Sequence, residues 1–323
     1  MAELSYIRAL NQALAGEMRR DQRVVVIGED VAEGGPYGAT RDLAAELGER
    51  RVIDTPISEA AVTGVAVGAA LSGWRPVVEI MFIDFITLAL DQLVNHAAKA
   101  RYMSGGQLRV PLVLRTQGGA GVRSGAQHSQ SLEAWLAHVP GLAVVMPATP
   151  ADAAGLLRAA IRADDPVVVV ENKALYYQKG EVADETLVPI GAAVTRRDGR
   201  DVTVVATSRL VGEALAAADE LAAEGVSVEV IDPRTINPLD RETILRSVSR
   251  TGRLVVAHEA ATIGGFGAEV AAVVAEEAID RLAAPIVRVG APFTPVPASP
   301  ILEDAYLVGS REIADAVRRV LRW

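Results

Sequence analysis

The sequence predicts an α/β protein of two domains, each a mostly parallel sheet flanked by helices. Three observations carry this. The chain has 323 residues, enough for two domains of ordinary size. Short runs rich in valine and isoleucine alternate with amphipathic stretches along most of it, the pattern of parallel strands covered on both faces. One polar, irregular stretch, residues 172–200, interrupts that alternation. The expected division is 1–180 and 201–323, with 181–200 as the linker region.

In chain order, Ser5 to Arg20 has helical spacing through Ile7, Leu10, Leu14 and Met18. Arg23 to Gly28 reads as a buried strand ending at Glu29 and Asp30, followed by a glycine-rich loop over residues 33–40. Leu43 to Glu49 reads as a short helix and Arg51 to Ile53 as a strand. That strand runs into Asp54-Thr55-Pro56-Ile57-Ser58-Glu59. Pro56 breaks regular structure, Ser58 stands where a helix N-cap belongs, and Glu59 opens the first turn. Ala60 to Trp74 carries no charge, so this helix is expected to be buried nearly all round. A strand over Pro76–Ile80, a long helix from Phe82 to Tyr102 and a strand over Val110–Thr116 follow. Residues 117–130 are a glycine-rich loop. Leu142–Met146 (strand), Ala151–Ala163 (helix) and Val167–Glu171 (strand) complete the first series. The second comprises strands at 202–206, 227–231, 253–258 and 285–289. Its helices are expected at 210–224, 239–250, 267–282 and 311–321. Residues 291–300 hold four prolines and read as loop.

Composition narrows the function. Half the residues are hydrophobic and mean hydropathy is +0.24, an apolar excess that suits buried subunit contacts. A net charge of −9 argues against a nucleic-acid footprint and against attraction to an anionic membrane, and would suit a basic protein partner. Without cysteine there are no disulfides, thiolate nucleophiles or cysteine-bound metals. The N-terminal residues lack the pattern of a signal peptide, and the uncharged run from Ala60 is too short for a membrane span, so the cytoplasm is the expected location.

Candidate chemistry is sparse. Glu59, an acid in a helix's first turn, complements the helix dipole, and from its neighbours alone nothing more is needed. Among the four histidines, His96 reads as packed or interfacial and His138 as a helix-end residue. His258 lies at a strand's carboxyl end without the second histidine a zinc motif needs. His128 stands out, because it sits in a loop with Gly118, Gly119, Gly121 and Gly125 just past a strand, where α/β sheets build sites. No phosphate-binding glycine motif is present, and no metal-ligand spacing occurs among histidines and carboxylates.

Taken as one ordered series, several motifs are specific in combination. They are Gly28-Glu29-Asp30-Val31, Asp54 to Glu59, Glu79-Ile80-Met81-Phe82-Ile83-Asp84-Phe85, Ala126-Gln127-His128-Ser129-Gln130, Pro140-Gly141-Leu142 and Val228 to Asp232. On them the chain resembles, over essentially its whole length, the β subunit of the thiamine-diphosphate-dependent first component of 2-oxo-acid dehydrogenase complexes. That family acts on pyruvate, branched-chain 2-oxo acids or acetoin.

The resemblance implies a transketolase-like pyrimidine-binding domain and a transketolase C-terminal-like domain. Glu59 matches the glutamate that hydrogen-bonds the cofactor's aminopyrimidine ring and promotes its imino tautomer, and burial there would favour a protonated carboxyl. Phe85 matches the aromatic that packs on the pyrimidine, with Met81 near it. His128 matches the histidine that exchanges protons or orients the lipoyl group during acyl transfer. Leu112, Ala160, Ala163 and Asp165 lie where the family binds a monovalent cation, potassium, through mostly main-chain oxygens. Ala163 departs from the aspartate expected there, and Pro233 from a leucine. The family's Mg²⁺–diphosphate motif resides on an α subunit, which explains why none is found here. The implied partners are that α subunit, two α with two β, and a lipoyl acyltransferase. The C-terminal half of a split transketolase would need sugar-phosphate-binding basic residues. An assembly or regulatory subunit would not need Glu59, Phe85 and His128 together.

Overall fold

The computed structural model describes residues 1–323. The chain folds into two compact units, one of Met1–Gly118 with Trp135–Ile190, the other of Gly119–Ala134 with Gly191–Trp323.

The first unit begins with β1 (Ala2–Ser5), α1 (Tyr6–Arg20), β2 (Val24–Gly28), α2 (Leu43–Leu47), β3 (Val52–Asp54), α3 (Glu59–Leu71) and β4 (Arg75–Ile80). Next come α4 (Ile86–Asp91), α5 (Ala98–Met103), β5 (Val113–Gly118) and α6 (Glu133–Ala137), on which the chain re-enters this unit. β6 (Ala143–Val145), α7 (Pro150–Arg162), β7 (Val167–Asn172) and β8 (Lys179–Val182) complete it. The strands lie in the order β6-β7-β5-β4-β2-β3, every neighbouring pair parallel. Valine-rich β2 and β7 are buried along their whole length, as strands covered on both faces must be. On one face α1 and α7 supply Leu10, Leu14, Met18, Leu156, Leu157 and Ile161 to a shared core.

The order matters for the site. From β2 the chain moves outward to β3, then crosses back to β4 on the other flank of β2. Such a reversal opens a crevice at the carboxyl ends of the strands. Register places Gly28 of β2 beside Asp54 of β3 and Glu79 of β4, so the three strands end together. A Cβ on Gly28 would lie 2.7 Å from the Glu79 carbonyl oxygen, so only glycine permits this approach.

The second unit contains β9 (Val194–Arg197), β10 (Val202–Ala206), α8 (Leu210–Ala223), β11 (Val228–Asp232), β12 (Thr235–Asn237) and α9 (Arg241–Thr251). β13 (Leu254–Ala261), α10 (Phe266–Ala278), β14 (Val287–Ala291), α11 (Pro300–Tyr306) and α12 (Ser310–Leu321) follow. Its sheet has the order β14-β13-β10-β11-β9, parallel except for β9. No helix is long and apolar enough to cross a membrane.

Several local expectations change. The helix expected over Phe82–Tyr102 is a 3₁₀ turn (Ile83–Phe85), α4, a π segment (Gln92–Ala97) and α5 in succession. The wide π turn lets the stretch bury Leu93 and Ala97 after Ile86 and Ala89. The polar stretch 172–200 contains two strands, β8 and β9; β8 pairs antiparallel with β1. Pro300 ends no loop but starts α11, the helical position where a missing N–H costs nothing. α3 is not buried all round: Ala61, Val65, Gly68 and Leu71 are exposed.

Candidate active site

The first-unit residues gather at the joint ends of β2, β3 and β4. Glu59 opens α3 and is half-buried. Ser58 occupies the N-cap position, but its hydroxyl donates to the Pro56 carbonyl (3.3 Å) and caps nothing. Glu59 is therefore the polar side chain at a helix start whose first amides lack intrahelical partners. Burial, first, and then the charges of Asp30, Glu59 and Asp54 push the Glu29 carboxyl above its ordinary range. Asp54 in turn accepts from the Ala32 amide at 3.0 Å. Met81 and Phe85 are both half-buried just beyond β4. Phe85 meets Phe82 edge-on with ring centroids 6.1 Å apart, and the Lys173 ammonium lies 5.5 Å from the Phe82 centroid.

Beneath these strand ends lies a network that sequence reasoning missed. Arg115 of β5 is fully buried. Its Nε and Nη2 donate to the two Glu171 carboxylate oxygens (2.7 and 2.9 Å), and its Nη1 donates to Glu79 (2.7 Å). The Tyr176 hydroxyl also donates to Glu171, at 2.8 Å. Burial opposes the arginine's charge, but the two carboxylates outweigh it and hold the guanidinium protonated. The signal was an isolated charge near the end of each of three apolar strands.

The four residues implied to bind a monovalent cation also lie in the first unit. The Leu112 carbonyl accepts from the Val167 amide (2.9 Å) and the Ala160 carbonyl from the Ala163 amide (3.2 Å). The Ala163 carbonyl accepts from Arg75 Nη1 at 2.8 Å, and the Asp165 side chain from Arg101 at 2.6 Å. Arg75 thus brings positive charge to one of these oxygens.

His128 lies in the second unit, on the loop 119–134. It is half-buried, and its amide donates to the Gly125 carbonyl at 3.4 Å. The Gly119 amide donates to the Gln130 carbonyl (3.0 Å), closing the loop. His258 is fully buried, and neither ring nitrogen has a hydrogen-bond partner. Added Cβ atoms on Gly265 and Gly267 would fall within 2.6–2.7 Å of its ring, so these glycines make its cradle. Burial pushes its pKa down to about 4, against a weaker contribution from the Ala260 backbone. A neutral imidazole walled in this way is a packing residue. His96 and His138 are exposed on the surface. Glu133, also unmarked in the sequence, is buried with neither carboxylate oxygen partnered. Burial, then the charge of Glu259, raises its pKa to about 7. No group of three or more histidine or acidic side chains could hold a metal ion.

Comparison with known proteins follows this geometry. Residues 2–179 match the transketolase pyrimidine binding domain, and 191–313 the transketolase C-terminal domain. A split-gene transketolase, solved as an inactive β4 tetramer, superposes with a TM-score of 0.82 at 25% identity, over 99% of this chain and 98% of that one. Fold and family together define a transketolase-like protein. The chain is 46% identical to the β subunit of acetoin:2,6-dichlorophenolindophenol oxidoreductase from Cupriavidus necator, over 99% of this chain and 98% of the relative. It is 47% identical to the β subunit of the pyruvate dehydrogenase E1 component from Rhizobium meliloti (99% and 70%). It is 44% identical to the 2-oxoisovalerate dehydrogenase β subunit from Bacillus subtilis (99% of each). The chain belongs to the family of β subunits of 2-oxo-acid and acetoin dehydrogenases.

Proposed function

We propose that this chain, with an α subunit, decarboxylates a 2-oxo acid, pyruvate or a branched-chain acid, and transfers the acyl group to a lipoyl group of an acyltransferase. The observation that carries this is a half-buried Glu59 at the switch point of the first sheet, in the unit that also holds half-buried Met81 and Phe85 just past β4, in a chain 44–47% identical to such β subunits along its length.

Thiamine diphosphate, when bound, supplies a nucleophilic carbon that adds to a 2-oxo group. Phe85 and Met81 would pack against its pyrimidine ring, and Glu59 would hold a proton at the ring's edge. The diphosphate and Mg²⁺ would be held by the α subunit. His128 would deliver a proton to the lipoyl sulfur that leaves as the acyl group bonds to the other sulfur of that disulfide. The open face of α3 supports the α partner. Val65, Leu71 and the neighbouring Leu88 of α4 are 63%, 42% and 57% exposed in a run without charges, the composition of a surface that another chain covers.

The test is reconstitution with the α subunit and a panel of pyruvate, branched-chain 2-oxo acids and acetoin, read with an artificial electron acceptor. Glu59→Gln should assemble normally and lose at least a hundredfold in turnover. Wild-type turnover in that variant, or full activity of the lone wild-type chain, would overturn the reading.

A further inference from the structure

The loop that carries His128 has an unusual backbone. Gly119, Gly121, Arg123 and Gly125 all have positive φ, at 84°, 106°, 64° and 73°. Left-handed residues alternating with ordinary ones turn successive amides toward one side and form a concave cradle for an anion. Here the anion belongs to the chain itself. The Glu303 carboxylate of α11 accepts from the Gly121 amide at 2.8 Å, the Arg123 amide at 3.1 Å and Arg123 Nη1 at 2.8 Å. It is fully buried. The Arg123 guanidinium also reaches the Pro300 carbonyl (3.1 Å) and the Asp304 carboxylate. Farther along, a Cβ on Gly125 would rest 3.4 Å from that of Ala298, so the next turn of the loop lies on the same segment.

Arg123 is the telling residue. A non-glycine side chain in the left-handed region is strained, and such strain persists only where the surroundings over-determine it. On the backbone the surroundings are one carboxylate, which takes both the Gly121 and Arg123 amides, while the Arg123 guanidinium bonds Glu303, Asp304 and the Pro300 carbonyl. From Arg123 the backbone passes through Gly125, whose carbonyl accepts from the His128 amide.

We propose that Glu303 is a positioning residue for His128: its carboxylate holds the first half of the loop in the conformation that sets where the histidine is presented. This rests on the reading of His128 as a group acting in acyl transfer. Glutamine at 303 has the same shape, but it offers one acceptor oxygen where two are used, and it turns an N–H₂ donor toward donors.

The experiment uses the complex with the α subunit. Amide hydrogen exchange is followed over residues 119–130, beside decarboxylation with an artificial acceptor and acyl transfer to a lipoyl domain across pH. Glu303→Gln should exchange the Gly121 and Arg123 amides at least tenfold faster. It should keep decarboxylation within threefold, lose at least tenfold in acyl transfer, and displace the pH profile of that transfer. Arg123→Gly keeps both backbone donors and tolerates the positive φ, so it should transfer within threefold of wild type. If Glu303→Gln does not assemble, Glu303→Asp, which withdraws the carboxylate by one methylene, is judged by the same readouts. Unchanged exchange, or unchanged transfer and pH profile, in the assembled variant would overturn the proposal. His128→Ala reports separately on the underlying reading: wild-type acyl transfer there removes the histidine's role whatever Glu303 does.

Discussion

Arg115 has a full positive charge and no contact with water, and its two carboxylate partners are equally enclosed. The energetics of such a group are asymmetric. Replacing a whole buried ion cluster by apolar side chains is often tolerated, whereas removing one member strands the others. Arg115→Met should therefore lower unfolding stability by about 3–5 kcal/mol, measured by guanidinium denaturation. A loss below about 1 kcal/mol would mean that Glu79 and Glu171 find other partners. The same residues mark where sequence reasoning stops. Glu59, Met81 and Phe85 stood out only through the family resemblance, whereas His128, in a glycine-rich loop past a strand end, could be picked out from local pattern. Arg115 could not, because its partners lie 36 and 56 residues away and a lone charge in a valine-rich run looks like a strand end facing water. Glu133 gives no signal at all, since only three-dimensional packing deprives its carboxylate of partners.

Among the elements, α3 shows how one helix serves two surroundings. Val62, Ala66, Val67 and Ala70 are buried, while Ala61, Val65, Gly68 and Leu71 face outward without a charge among them. A Cβ on Gly68 would meet nothing within 4 Å, which leaves room for a helix of another chain to come close. Val65→Arg should leave the helical melt of the lone chain within about 1 °C of wild type, about what a change below 0.5 kcal/mol produces in a chain this long. Co-purification with the α subunit should drop at least tenfold. Normal assembly of that variant would move the interface off this face. The parallel strands β2, β7 and β10 were legible because each is a buried valine-rich run. The strands β1, β8 and β9 were not: they are short, polar and only partly buried, so no apolar period marks them. The proline-led start of α11 was missed for a different reason, as four prolines in ten residues outweighed the one position where proline favours a helix.

At the scale of the whole molecule, two buried groups of the second unit pull its stability in opposite directions with pH. His258 titrates near 6.5 unfolded and about 4 folded, so acidification through that window favours the unfolded chain. Glu133 titrates near 4.5 unfolded and about 7 folded, so its contribution is complete below pH 4.5 and is lost as pH rises through 7. Each amounts to about 3 kcal/mol, and between pH 4.5 and 6.5 they nearly cancel. Glu133→Gln removes one side of the balance. The stability of this variant relative to wild type should rise by about 3 kcal/mol between pH 4.5 and pH 8, read from denaturation curves at the two pH values. A difference independent of pH would show that the Glu133 carboxylate is ionised in the folded protein at little cost.

The loop that Glu303 holds also has a consequence for synthesis. Arg123 and Glu303 are 180 residues apart, and the loop is complete in the growing chain long before its anchor exists. At about 5–20 residues per second, the ribosome leaves that interval open for roughly 10–40 s. For that time the left-handed turns at Gly121 and Arg123 have no carboxylate to satisfy them. The second unit is thus discontinuous in the gene as well as in time. A fragment begun at residue 191 would carry the Glu303 carboxylate into its interior with none of the loop's donors to receive it.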